Sequence, residues 1–155
     1  MGERGSGRAD QTRVVVRRCA EFESDLPTDT IEMEDEIIVG GRSVGEAIGQ
    51  ILESVGARAD PPVYAGDNGW QFQAYFQGRT FFCQATHIER FLFVLRDRSS
   101  RDRSLHQHSP IYLDLLTRLA DALARDPRFH DIGWHADGDV LSGRPGAARP
   151  VEGQP

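Results

Sequence analysis

Lysine is missing altogether, since all 18 basic residues of this 155-residue chain are arginine. An arginine-only set reflects a G+C-rich coding sequence and points to a bacterial source. Cysteine is nearly missing too: Cys19 and Cys83 stand far apart. With no secretory leader, such a pair excludes a disulfide-stapled secreted scaffold and fits a reduced, cytoplasmic protein. No apolar run approaches the roughly 20 residues that a membrane-spanning helix needs. Positive charge is in deficit as well, with 24 acids against the 18 arginines. The balance repels nucleic acid and anionic membrane, so neither is expected as a partner.

Signatures of catalysis are equally scarce. There is no HExxH, no CxxC and no glycine-rich loop followed by Lys-Ser/Thr, so the common zinc and phosphate sites are not indicated. Asp137-Gly138-Asp139 lacks the bidentate Glu of a calcium loop and is a turn. Cys83 and His87 would lie on one strand roughly 13 Å apart, too far for a nucleophile and its base. Cys83 is therefore expected to be a buried core thiol. The one pair that suits a metal is His106 and His108, whose alternation in an extended segment aims two imidazoles the same way. A small metal-binding protein or metal-dependent hydrolase built on that pair is the alternative reading. Otherwise neither an enzyme nor a cofactor is expected.

What is present is a clear pattern of elements. At this length one core suffices. Residues 1–12 and 143–155, rich in Gly, Arg and Pro, are expected to be disordered around a single domain at 13–142. Alternation and β-branching predict strands over residues 13–19 and 30–39. Ser43 with Glu46 has the spacing of a capping box, opening a helix whose apolar stripe ends at Gly56. Gln77-Gly78 then turns a hairpin that pairs Phe76 with Arg79, Ala74 with Phe81, Phe72 with Cys83 and Trp70 with Ala85. Residues 91–95 follow as a strand apolar on both faces, its register open between two loop lengths. Ser109-Pro110 caps a second helix with Ile111, Leu115, Leu119, Ala122 and Leu123 inward. A last small hairpin is expected from Ile132 to Leu141. The order β-β-α-β-β-β-α-β-β predicts an α+β fold, an antiparallel sheet with two helices packed on one face.

The acidity of the chain is local. Residues 21–36 hold eight acids and no base. On a strand, Glu32, Glu34 and Glu36 would form a ladder of like charge, either protecting a sheet edge or docking a basic partner. The hairpin face with Gln71, Gln73, Tyr75, Phe82 and Gln84 would lie beside it. Tyr75, Phe82 and Trp134 are the candidate anchors for a protein partner. A small acidic α+β chain of this kind has the general look of toxin-neutralising immunity proteins and of secretion chaperones. The expected function is non-catalytic binding, as an inhibitor of a basic toxin or effector, with effector binding in the manner of a secretion chaperone as the second reading. A homodimer is also compatible with the pattern.

Overall fold

The computed structural model of the protein describes residues 14–98, 108–136, 139–140 and 142–153. In chain order its strands and helices begin β1 (Val15–Val16), β2 (Cys19–Ser24), β3 (Ile31–Glu32), β4 (Ile37–Ile38) and α1 (Arg42–Ser54). They continue with β5 (Arg58–Ala59), β6 (Val63–Tyr64), β7 (Trp70–Phe76), β8 (Arg79–His87), β9 (Phe91–Asp97), α2 (Pro110–Arg125), β10 (Phe129–His135) and β11 (Val151–Glu152). The class is α+β. Seven strands form an antiparallel sheet in the order β10-β2-β9-β8-β7-β5, with β6 also on β7.

The sheet grows from the β7–β8 hairpin. Gln77 and Gly78 both have positive φ, 50° and 79°, the backbone that matches a tight turn to the twist of its strands. All four expected pairs are present, from Phe76 with Arg79 to Trp70 with Ala85. The register of β9 is fixed by pairing Cys83 with Leu95 and His87 with Phe91. That places Phe91, Phe93 and Leu95 on the inner face and leaves Leu92 and Val94 on the outer one.

Both helices cover the inner face. Ile48 and Leu52 of α1 and Leu115, Leu116, Leu119 and Leu123 of α2 join Phe22, Phe72, Phe81 and Phe93 in one core. The Phe81 ring stacks on Tyr112, with centroids 5.9 Å apart, and the Tyr112 hydroxyl donates to the Leu95 carbonyl at 2.7 Å. Ser109 caps α2 as expected, accepting from the Ile111 N–H with Pro110 behind it. Ile111 and Ala122, however, are only half-buried, and Tyr112 and Leu116 take their places inside.

Four expectations are corrected. Residues 30–39 are not one strand, because the chain reverses at residues 33–36 and β3 pairs back onto β4. Ser43 and Glu46 form no capping box. Helix α1 begins two residues earlier, with Gly41 in place of Ser43 as its N-cap, and the Ser43 N–H is instead capped by the Asp29 carboxylate at 2.7 Å. Asp139 and Val140 lie in a turn rather than a strand; Asp137, Gly138 and Leu141 lie outside the described residues.

The fourth concerns the C-terminal tail, expected to be disordered from residue 143. Its described part is tied down twice. Ala147 exchanges backbone hydrogen bonds with Trp134 at 2.8 and 2.9 Å, and β11 pairs with β1. The crossing works because two glycines meet: a Cβ on Gly146 would stand 2.5 Å from the Cα of Gly133. The Gly- and Pro-rich composition that reads as disorder is here what lets one backbone lie against another. Residues 1–13 lie outside the described residues.

Candidate protein-binding surface

The β3–β4 hairpin stands apart as an arm. Residues 31–37 are all exposed, and the two strands pair only with each other. Its apolar residues should be buried if the arm packed on the domain, yet Ile31, Met33 and Ile37 are 50, 52 and 47% exposed. Glu32, Glu34, Asp35 and Glu36 are interleaved with them. The arm therefore presents apolar and anionic groups together.

Its root is fixed, not loose. Gly40 and His87 exchange backbone hydrogen bonds at 3.0 Å each way. The Thr30 hydroxyl donates to the His87 carbonyl at 2.8 Å and lies 2.6 Å from His87 Nδ1. That hydroxyl has one proton, so with the carbonyl taking it, Nδ1 is the donor in the second contact. Burial holds the His87 imidazole below its ordinary pKa, which favours the neutral ring. At the other root Asp29, with φ of 63°, caps α1 as described.

The outer face of the main sheet stays half-exposed from β7 to β9. Gln71 donates to Gln84 across the hairpin at 3.0 Å, and Phe82 pairs laterally with Gln73 on one side and Arg96 on the other. Tyr75 donates its hydroxyl to Asp60 at 2.8 Å, while the Arg58 guanidinium lies 4.2 Å over its ring. The hydrogen bond to Asp60 raises the phenol above its ordinary pKa. Tyr75 is thus already engaged, and Phe82 is the freer of the two aromatic candidates.

The remaining candidates fall elsewhere. Trp134 is 2% exposed and faces the helices, because the bulge between His130 and Gly133 pairs it with Ala20 on the inner face. It is a core residue, not an anchor. Glu32, Glu34 and Glu36 form no ladder, since residues 33–36 turn the arm. Cys83 is fully buried, and that burial pushes its thiol pKa up, so it makes a poor nucleophile. Cys19 is a second buried cysteine, in no disulfide. His106 lies outside the described residues. His108 sits before α2 with its ring centroid 6.2 Å from that of Tyr112. Among the described residues no three His, Cys, Asp or Glu side chains converge as a metal site would require.

Residues 21–36 also divide by role. Glu21 bonds to Arg90 at 2.8 Å and to the buried His135 at 3.2 Å, and Asp25 bonds to His130 at 2.8 Å. Asp25 accordingly raises the His130 pKa. Beside Glu21 a cleft of about 610 Å³ opens toward Arg144 and Gly146. Among the described residues that line it there is no Ser, Thr, Cys, Lys or His; its ionisable groups are Glu21, Arg90, Asp131 and Arg144. Glu23, Glu32, Glu34, Asp35 and Glu36 remain exposed.

Compared with known protein families, with curated proteins and with solved structures, the chain matches none significantly. No helix among the described residues is long and apolar enough to cross a membrane.

Proposed function

We propose that the protein works by binding rather than by catalysis, and that it uses its acidic arm to hold a basic protein partner in the cytoplasm of a bacterium. The observation that carries this reading is the exposure of Ile31, Met33 and Ile37 among four carboxylates. Three large apolar side chains left in water forgo burial energy that a covering partner would supply, and an exposed apolar cluster of this kind marks an interaction site. The carboxylates around them select a cationic surface and speed encounter with it. An inhibitor of a basic toxin or effector fits this best, the arm entering a basic cleft from a root held by His87 and Asp29.

The test places a photo-crosslinking residue at Met33 in the full chain and identifies what it captures in cells of the source organism. A single basic protein is expected. It should be lost when Ile31, Met33 and Ile37 become Ser, and weakened at least tenfold when Glu32, Glu34 and Glu36 become Arg. Capture of nothing, or capture unaffected by both sets of changes, overturns the proposal.

A further inference from the structure

The outer face of the sheet has a polarity of charge that runs along its strands. Register and alternation put Arg96 on that face opposite Phe82, with Arg98 following beyond it, held to Thr80 by its backbone N–H at 3.0 Å. Both arginines are exposed, and neither forms an ion pair among the described residues. At the opposite end of the same face Arg90 is paired with Glu21 at 2.8 Å, which leaves Glu23, exposed at the far end of β2, and the exposed Glu89 in the turn next to it as the charges without an ion pair among the described residues. Six residues of strand separate the level of Glu23 from that of Arg96, roughly 20 Å. Between the two ends lie Phe82, Leu92 and Val94, all half-buried and facing outward.

We infer that this face binds a second copy of the chain, the two sheets stacked with their strands antiparallel so that the arginine end of each meets the glutamate end of the other. Charge complementarity selects the occupant. A two-fold axis through the middle of the face carries Arg96 and Arg98 onto the region of Glu23 and Glu89, and the same operation satisfies both ends at once. The apolar middle then packs on itself, giving an apolar centre with a charged rim. A partner of one charge sign could satisfy only half of the face. The proposal uses no residue of the arm, so its variants test it separately from the proposed partner binding.

The polarity gives a sharp test by sedimentation of the full chain at micromolar concentration. Wild type should be a dimer that weakens as salt rises. Arg96→Glu with Arg98→Glu makes both ends acidic, and Glu23→Arg with Glu89→Arg makes both ends basic. Each variant alone should have its dimer dissociation constant raised at least tenfold. Mixed in equal amounts they should form a heterodimer about as tight as wild type, because every contact is again between opposite charges. All four positions are exposed, so folding should be unaffected, and circular dichroism checks this. A monomeric wild type, or a mixture no better associated than its components, overturns the inference. Dimerisation unchanged in both variants overturns it as well, and points to another face.

Discussion

The β7–β8 hairpin and the β3–β4 arm are both two-stranded and both rich in alternating apolar residues, yet one is the centre of the core and the other is all surface. In β7 and β8 alternate residues, Phe72, Ala74, Phe76, Phe81, Cys83 and Ala85, are buried beneath two helices. In the arm the comparable residues Ile31, Met33 and Ile37 stay in water. The difference is in what each hairpin meets. The long hairpin gains neighbours on both edges and a helical cover, while the arm gains only its root contacts. Burial, not pairing, makes a hairpin part of the fold.

The largest effect that separates the two should come from Phe81→Ala. Phe81 is fully buried and stacked on Tyr112, and such a truncation costs about 3–5 kcal/mol; denaturant unfolding would measure it. A loss below 1 kcal/mol would mean that the hairpin is less central than its burial implies. Asp29→Ala comes next, removing the cap of α1 at the arm's root. About 0.5–2 kcal/mol is expected, together with faster amide exchange at Ser43 and little change at Phe81.

A smaller effect should follow pH. Because burial lowers the His87 pKa, the unfolded chain takes up the proton first, and stability should fall as pH drops through about 6.5. His130 acts in the opposite sense, its pKa raised by Asp25, but it is exposed and screened. The His87→Asn variant should therefore lose less stability than wild type between pH 7.5 and 5.5. An unchanged slope would remove His87 as the cause. The smallest effect is expected from Ile31→Ser, Met33→Ser and Ile37→Ser combined, which should leave the melting midpoint nearly unchanged, within about 0.5 kcal/mol for each exposed position. A large loss would show that the arm packs on the domain after all.

The same contrast explains what could be read from the sequence. The β7–β8 register was legible to the residue, because Gln77-Gly78 sets the turn and strict alternation leaves one pairing that keeps both strands' apolar residues on one face. Helix α2 was legible from Ser109-Pro110 to Asp126-Pro127 for the same local reason. The arm was not. Alternation over residues 30–39 suits a single strand as well as a hairpin, and nothing local marks the reversal at residues 33–36. The cap of α1 was missed because Asp29 reaches it through space, while Ser43 and Glu46 mimic a local box. Trp134 was assigned to the surface because a bulge, invisible in the spacing, turns it inward. At the candidate site the acidity was visible in the sequence, but the separation of Glu21, Asp25 and Asp29, which bond to Arg90, His135, His130 and the Ser43 N–H, from the carboxylates of the arm depends on partners elsewhere in the chain.

The position of β2 in the sheet also bears on how the chain comes to be folded. It lies between β9 and β10, so its first neighbour is synthesised some 70 residues later and its second more than 100 residues later. Until then Ala20 and Phe22 have no strand beside them, and both edges of β2 are open to foreign strands. Contacts of such long sequence separation make for slow folding. The β7–β8 hairpin can form early by contrast, since its ends are joined by a two-residue turn. During that wait the carboxylates of Glu21 and Glu23 are the groups that keep the unpaired segment from adhering to its own kind, a service rendered before the native state exists.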